Sequence, residues 1–182
     1  MGHGYCVWFT GLPCAGKSTL AGRVTSWLET RGVEVVNFDG DAIRNTVSAD
    51  LSFSRDHRHA NVIRVAMLAA DVVRRGGVAV CALVSPYRES REEARAIVGP
   101  AEFLEVFVDT PLDVCEGRDV KGMYRRARAG TLEHFTGVSD PYEQPTNPDI
   151  HIVGVGELEE TVRPILDAVT RRNGLKAAGM RR

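Results

Sequence analysis

The chain has 182 residues, of which 43% are hydrophobic and 26% charged, and its formal net charge is −1. This length and composition are those of one globular domain, and the near-neutral charge excludes the overall positive field of a nucleic-acid or anionic-membrane binder. The sequence has no stretch typical of a membrane-spanning helix or a secretory leader, and its four cysteines show no metal-ligand spacing. We therefore expect a single cytoplasmic domain over residues 1–182, with reduced thiols and with neither a nucleic acid nor a membrane as partner.

The first predicted element is a buried strand, Tyr5 to Thr10, which leads into Gly11-Leu12-Pro13-Cys14-Ala15-Gly16-Lys17-Ser18. The pattern G-x-x-x-x-G-K-[ST] is typical of the phosphate-binding P-loop, in which successive backbone N–H groups face one phosphate. Apolar residues at helical spacing follow, which would place an anion at a helix N-terminus. We predict that this segment binds a nucleoside triphosphate, with Lys17 on the outer phosphates and the Ser18 hydroxyl on Mg²⁺. The predicted contacts are Gly11, Cys14, Ala15, Gly16, Lys17, Ser18 and Thr19.

The second predicted strand, Val33 to Asp39, ends in Asp39-Gly40-Asp41. One interpretation is a turn in which Asp41 caps a short helix. The other is a pair of carboxylates beside the P-loop, since parallel sheets bind ligands at the carboxyl ends of their strands. A polar loop containing Phe53 follows, and then a long helix whose core face is Val62, Ala66, Ala69 and Val73.

Three more strands are predicted, at 78–84, 103–109 and 149–153. Ser85-Pro86 and Thr110-Pro111 each combine a capping residue with proline, which is typical of helix starts. The last helix would have Leu158, Val162, Ile165, Leu166 and Val169 on its core face, followed by a frayed basic tail over 173–182. This alternation predicts an α/β fold of the P-loop NTPase type, a parallel sheet of about five strands with helices on both faces.

Residues 119–144, between the fourth and fifth strands, have weak periodicity and several glycines. The basic residues in and just before this segment are Arg118, Lys121, Arg125, Arg126 and Arg128. A solvated charged helix is one interpretation. Opposite a triphosphate, an arginine-rich mobile lid is at least as well supported.

Further motifs follow the P-loop. They are Asp39-Gly40-Asp41 with Arg44, Phe53-Ser54-Arg55 with Arg58 and Asn61, Ser85-Pro86-Tyr87-Arg88, Val108-Asp109-Thr110-Pro111-Leu112, Arg118-Asp119, Lys121-Gly122-Met123-Tyr124, Ala127-Arg128, Phe135-Thr136-Gly137 and Pro141-Tyr142-Glu143. In this combination the chain resembles the adenylylsulfate kinase family, P-loop kinases that phosphorylate the 3′-hydroxyl of adenosine 5′-phosphosulfate. The resemblance runs from about Val7 to Ile152.

The resemblance implies a role for each motif. The substrate-binding residues would be Asp41, Arg44, Phe53, Arg58, Asn61, Ser85, Lys121 and Phe135. The two phenyl rings would sandwich the adenine, and Asp41 would accept the proton of the 3′-hydroxyl. Lys17, Asp39 and Asp41 would form the catalytic set, and Ser18 and Asp39 would hold Mg²⁺. Arg118 and Arg128 would close over ATP, the co-substrate. The resemblance also suggests a homodimer. Whether the chain works alone or beside an ATP sulfurylase stays open, and the sequence contains no sulfurylase-like segment.

Four positions depart from the family pattern. Pro13 and Cys14 replace Ser-Gly within the loop, His57 replaces an aspartate, and Ile63 replaces an arginine. The last two flank the substrate-side helix, so a kinase acting on another small nucleotide conjugate stays open. A non-catalytic nucleotide-sensing domain is disfavoured, because such a domain would be expected to lose the P-loop. For Ser85 we favour a helix cap over a phosphoenzyme role.

Overall fold

Five parallel strands form the centre of the molecule in the computed structural model, which describes residues 3–174. They are β1 (Tyr5–Thr10), β2 (Val35–Asp39), β3 (Val78–Ala82), β4 (Phe103–Val108) and β5 (Ile150–Ile152). Their order across the sheet is β2-β3-β1-β4-β5. The connection from β3 to β4 crosses β1, so the sheet changes winding direction beside the P-loop strand. Ligands of open α/β sheets bind at such a point.

Within residues 3–174, seven helices accompany the sheet. They are α1 (Lys17–Glu29), α2 (Gly40–Asn45), α3 (Arg55–Arg74), α4 (Arg88–Val98), α5 (Leu112–Arg118), α6 (Met123–Arg128) and α7 (Leu158–Arg172). The side chains of β1 alternate between two cores: Val7 and Phe9 pack with α1 and α7, while Cys6 and Trp8 pack with α3 and α4. A strand covered on both faces is apolar throughout, which explains the continuous hydrophobic run. The predicted α/β fold with five parallel strands is confirmed.

Two predicted helix starts are wrong. Ser85 does not cap a helix, because α4 begins at Arg88 and Tyr87 occupies the capping position. Pro111, rather than Thr110, occupies the capping position of α5. The Thr110 hydroxyl instead donates a hydrogen bond to the carbonyl oxygen of Ala15, at 2.7 Å. Both residues are buried between elements, where tertiary contacts outweigh the local capping preference.

The predicted strand limits were also too wide. The Val33 N–H still bonds the carbonyl of Leu28 in the last turn of α1, so β2 begins at Val35. At its other end, β3 stops at Ala82, before the chain turns at Ser85.

The C-terminal predictions need correction as well. Leu158 is 38% exposed at the start of α7 and lines the cavity described below, so it does not belong to the core. Asn173, predicted to begin a frayed tail, caps α7 and donates hydrogen bonds to the Tyr5 hydroxyl and the Val169 carbonyl. Residues 175–182 of that predicted tail lie outside the described residues. Within 3–174, no helix is both long and apolar enough to cross a membrane.

Gly154 gives a test of how tightly β5 and the P-loop are joined. A Cβ at this position would overlap the Thr110 hydroxyl and lie 2.8 Å from the Ala15 carbonyl oxygen. We expect Gly154→Ala to lower the free energy of unfolding by about 1–3 kcal/mol, because overpacking separates the bonded pair. Gly22→Ala in α1 is the matched control. Its Cβ meets nothing within 4 Å, so it should stabilise by about 0.5–1 kcal/mol through helix propensity. Urea unfolding of both variants measures this, and wild-type stability of Gly154→Ala would contradict it.

Candidate active site

A cavity of about 620 Å³ opens at the carboxyl edge of the sheet. It is enclosed by the P-loop, the β2–α2 and β3–α4 turns, the start of α7 and residues 118–135. All but two of the predicted site residues line it. The exceptions are Gly11, which lies behind the loop with its α-carbon against Val108, and Arg128. The structure therefore brings together residues that lie up to 121 positions apart along the chain. The predicted site residues that line the cavity are Cys14, Ala15, Gly16, Lys17, Ser18, Thr19, Asp39, Asp41, Arg44, Phe53, Arg58, Asn61, Ser85, Arg118, Lys121 and Phe135.

Side chains from outside the P-loop hold it by donating hydrogen bonds to its carbonyl groups. The carbonyl of Pro13 accepts from the Tyr124 hydroxyl at 3.0 Å, that of Cys14 from Arg118 at 3.1 Å, and that of Ala15 from Thr110. Cys14 and Gly16 have φ values of +59° and +102°, which turn the backbone tightly. The first N–H groups of α1 have no acceptor within a helix, so they are available to a phosphate in the cavity.

Lys17 bonds back to the first residues of the loop. Its Nζ donates to the carbonyl oxygens of Gly11 and Leu12, at 2.9 and 2.6 Å. Burial lowers the pKa of Lys17 to about 8, although the nearby carboxylates of Asp39 and Asp41 oppose the shift. An incoming phosphate would restore the preference for the charged form, because an adjacent negative charge stabilises an ammonium group.

Asp39 organises the turn after β2. Its Oδ1 accepts hydrogen bonds from the N–H groups of Asp41 and Ala42 at the start of α2, at 3.0 and 3.4 Å. Its Oδ2 accepts from the Ser18 hydroxyl at 2.6 Å. Asp39 is thus the helix cap, and the interpretation of Asp41 as the cap is wrong. The Asp41 carboxylate is exposed in the cavity and pairs with Lys121 across it.

The oxygens of Ser18 and Asp39 are the donor set on which a cation could bind. Hard oxygen ligands suit Mg²⁺, which keeps several waters or phosphate oxygens in its coordination shell. Within residues 3–174 there is no group of three or more histidine, cysteine or acidic side chains placed to hold a metal. The residues present therefore fit a cation that is shared with a nucleotide.

An aromatic and basic pocket forms another part of the cavity. The Phe53 ring is 39% exposed, with the guanidinium groups of Arg44 and Arg58 at 4.5 and 5.3 Å from its centroid. Phe135 is only 5% exposed and packs edge-on against Tyr124, with ring centroids 4.8 Å apart. Within the described residues, the buried Oδ1 of Asn61 has no hydrogen-bond partner.

The two arginines of this pocket also support its shape. Arg44 donates to the carbonyl of Ser52 at 2.8 Å, and Arg58 donates to the carbonyls of Phe53 and His134. Arg58 thereby connects the loop that carries Phe53 to the chain just before Phe135. Burial lowers the pKa of both guanidinium groups. The sequence did not indicate this supporting role.

The predicted lid is anchored to the body at several points. Tyr142 bonds the Thr10 hydroxyl at 2.8 Å, and the N–H of Glu143 donates to the carbonyl of Pro86. Lys121 and the preceding Arg118 reach the cavity, but Arg128 pairs with Glu116 outside it. This arrangement does not bring Arg128 to the nucleotide site. The bounds of the lid and its mobility remain predictions.

Neither His57 nor Ile63 lines the cavity. The His57 ring nitrogen Nδ1 accepts from the N–H of Ser52 at 2.9 Å and so stabilises the loop before Phe53. Sequence reasoning missed three supporting residues. Tyr124 holds the P-loop, while Trp8 and Arg91 hold the turn at Ser85. Sequence patterns carry no signal of these contacts. Trp8 and Tyr124 bond residues that lie 77 and 111 positions away, and Arg91 reaches the Ser85 carbonyl only because the intervening turn folds back.

Comparison with known proteins agrees with this site. A family model described as adenylylsulphate kinase matches residues 3–153. The adenylyl-sulfate kinase of Halothermothrix orenii is 46% identical over 149 residues, which are 82% of this chain and 80% of that protein. That of Yersinia pestis is 43% identical over 177 residues, or 97% of this chain and 83% of that protein.

A solved structure gives the same result. The Mycobacterium tuberculosis APS kinase, in complex with AMPPNP and APS, superposes with a TM-score of 0.89 at 38% identity. The match covers 93% of this chain and 99% of that chain. The P-loop, the two aspartates and the aromatic pocket thus occur in a chain similar to these kinases over most of its length. The chain belongs to the adenylylsulphate kinase family.

Proposed function

We propose that the protein transfers the γ-phosphoryl group of ATP to the 3′-hydroxyl of adenosine 5′-phosphosulfate (adenylyl sulfate), giving 3′-phosphoadenylyl sulfate. This is a step of sulfate activation. The observation that carries the proposal is that one cavity joins the P-loop to the pocket of Phe53 and Phe135, with Asp41 at its wall. The named relatives, one of them solved with AMPPNP and APS, support this choice of substrates.

The residues divide the chemistry between them. The N-terminus of α1 and Lys17 would bind the outer phosphates of ATP, and Arg118 would cover the nucleotide. Asp41 would orient the 3′-hydroxyl and accept its proton as the oxygen attacks. Lys121, which now pairs with Asp41, would turn to the phosphoryl group, where negative charge spreads in the transition state.

Mg²⁺ would bind at Ser18 and Asp39. When bound, it neutralises charge on the outer phosphates of ATP. The hydrogen bond between the two side chains places their oxygens on the same side of the P-loop.

The structure supplies no argument for a different acceptor. The substitutions at His57 and Ile63 raised that alternative, but neither residue reaches the cavity. A non-catalytic sensor would not need Lys17, Ser18, Asp39 and Asp41 assembled in one place. The homodimer, the association with an ATP sulfurylase and the cytoplasmic location remain predictions.

An acceptor screen tests the proposal directly. Purified protein with MgATP would be offered adenylyl sulfate, AMP and cytidine nucleotide conjugates, and ADP release would be followed with product identification. We expect phosphorylation of adenylyl sulfate at the 3′-position, with AMP and the cytidine compounds much poorer. A higher kcat/KM for any other acceptor would overturn the substrate assignment.

Lys17 should act as a charge on the phosphates. We expect Lys17→Ala to abolish turnover with an unchanged circular dichroism spectrum. Because burial lowers the pKa of Lys17 to about 8, ATP binding above that pH must take up a proton. The affinity for MgATP should therefore fall as pH rises from about 8 towards 10 in the wild type, but not in Lys17→Ala. Calorimetric titration across this range measures it, and wild-type turnover in the folded variant would refute the assignment.

Substitution of the two aspartates should reduce activity for different reasons. Asp41→Asn should lower kcat by about 10²–10⁴-fold and leave both KM values nearly unchanged, since it removes the general base. Asp39→Asn is the matched control, because asparagine still caps α2 but offers Mg²⁺ no charge. We expect its activity to recover partly at high Mg²⁺, and that of Asp41→Asn to stay low. Steady-state kinetics over a Mg²⁺ series would distinguish them. A normal kcat for Asp41→Asn would leave that residue without a catalytic role.

Removal of each phenyl ring should weaken acceptor binding, but the two substitutions should differ in their effect on protein stability. Loss of base stacking is worth about 1–3 kcal/mol, so Phe53→Ala should raise KM for adenylyl sulfate by about 5- to 150-fold and spare KM for ATP. Phe53 is half exposed, and its loss should hardly change Tm, whereas the buried Phe135→Ala should cost about 3–5 kcal/mol of stability. The effects of the two changes on KM should not add, because both rings hold one base. A stable Phe53→Ala protein with unchanged acceptor KM would sink the stacking hypothesis.

A further inference from the structure

Ser85 lies in a strained turn after β3. Its φ is +37°, in the left-handed region that residues other than glycine seldom adopt. It is 3% exposed, and it lines the cavity. Strain of this kind persists only where the surrounding structure holds the backbone in place.

Two buried side chains hold this turn. The indole Nε1 of Trp8 donates to the Ser85 hydroxyl oxygen at 3.1 Å, and the Arg91 guanidinium donates to the Ser85 carbonyl at 2.7 Å. The Thr10 hydroxyl donates to the neighbouring Val84 carbonyl at 2.9 Å. Trp8 is fully buried and Arg91 is 3% exposed, so both contacts are shielded from water.

Arg91 connects this turn to two other elements. It donates to the Glu105 carboxylate on β4 at 2.9 Å and to the Glu143 carbonyl, near the end of the predicted lid, at 2.7 Å. Glu105 is itself buried, and it also lies near Arg95. One guanidinium group therefore fixes the Ser85 turn relative to the sheet and to the end of the lid.

The Ser85 hydroxyl has a hydrogen left to donate. Its oxygen already accepts the indole N–H, and its acceptor within the described residues is the Leu83 carbonyl, at the long distance of 3.5 Å. Neither a carboxylate nor an imidazole contacts this hydroxyl in residues 3–174, so the site offers no base to make it a nucleophile. An oxygen of the acceptor substrate in the cavity would be a better partner than Leu83.

We propose that Trp8 and Arg91 are positioning residues that act through Ser85, orienting its hydroxyl as a hydrogen-bond donor to the acceptor substrate. Trp8 orients the hydroxyl and Arg91 fixes the backbone that carries it. This inference rests on the proposed function, since it concerns the acceptor side of the same cavity. The indole N–H of Trp8 would then contribute to substrate binding, while its ring packs in the core.

Kinetics of a double-mutant cycle test the part played by Trp8. Trp8→Phe removes the indole N–H and keeps an aromatic ring, and Ser85→Ala removes the hydroxyl. Trp27→Phe is the matched control, because Trp27 is the only other tryptophan and lies on α1 outside the cavity lining. We expect Trp8→Phe and Ser85→Ala each to raise KM for adenylyl sulfate about three- to tenfold, the effect of losing one hydrogen bond. KM for ATP should stay within twofold, and Trp27→Phe should match the wild type.

The double variant decides between positioning and packing. If Trp8 acts through Ser85, then adding Trp8→Phe to Ser85→Ala leaves KM for adenylyl sulfate unchanged within twofold. If Trp8 only packs the core, Trp8→Phe lowers Tm without changing that KM, or its effect multiplies with that of Ser85→Ala. Either of the last two results would overturn the proposal.

A spectroscopic measurement avoids any change at Trp8. In ¹⁵N-labelled Trp27→Phe protein, the single indole N–H resonance belongs to Trp8. We expect this resonance to shift when adenylyl sulfate is added without ATP, and to lose its hydrogen-bonded position in the Trp27→Phe, Ser85→Ala protein. If neither adenylyl sulfate nor Ser85→Ala shifts this resonance, the proposal is overturned.

Arg91→Lys tests whether Arg91 fixes the backbone that carries Ser85. Lysine keeps the charge beside Glu105 but cannot reach three acceptors with a planar fork. We expect KM for adenylyl sulfate to rise several-fold in the folded variant, and an unchanged KM would remove Arg91 from the proposal. Failure of the proposed function is recognised separately, because the wild type would then not phosphorylate adenylyl sulfate at all.

Discussion

A phosphate loop binds anions only if its N–H groups face inwards, and here that orientation depends on the donors that occupy its carbonyls from outside. Thr110 comes from the end of β4, Arg118 from α5 and Tyr124 from α6. The loop that β1 presents is therefore shaped by elements about 95–111 positions later in the chain. The sheet order makes this possible, because β1 lies between β3 and β4 and its carboxyl end meets both of their turns.

On the other side of β1, Asp39 joins the P-loop helix to the turn after β2. One carboxylate oxygen caps α2 and the other accepts the Ser18 hydroxyl of α1. The N-terminal turns of α1 and α2 are thus joined through one side chain. A capping interaction is ordinarily worth about 1 kcal/mol, but here it also sets the direction in which Asp41 leaves α2.

The sequence predicted the features that depend on local pattern. The P-loop, the strand alternation and the spacing of aromatic and basic motifs identify the fold and most of the cavity lining, because each is written in neighbouring residues. It could not predict which aspartate caps α2, since Asp39 and Asp41 suit the position equally. It also misassigned Ser85 and Thr110, whose hydroxyl groups bond Trp8 and Ala15 across the fold. Arg128, expected over ATP, pairs with Glu116 because helix α6 turns it in that direction, and motif spacing carries no information about that rotation.

The charged groups around the cavity are paired with one another or with backbone carbonyls, and these contacts hold their side chains in place. Lys17 bonds loop carbonyls, Asp41 pairs with Lys121, and Arg58 bonds the carbonyls of Phe53 and His134. A buried charge without a partner is costly, so the carbonyl contacts of the buried Lys17 and Arg58 stabilise the walls of the cavity. Phosphate oxygens form stronger, charge-assisted bonds than carbonyls do. ATP and the acceptor would therefore bind to groups that are already held in position, and Lys121 would leave Asp41 for the phosphoryl group. The contacts that stabilise these side chains thus also preorganise the cavity for phosphoryl transfer.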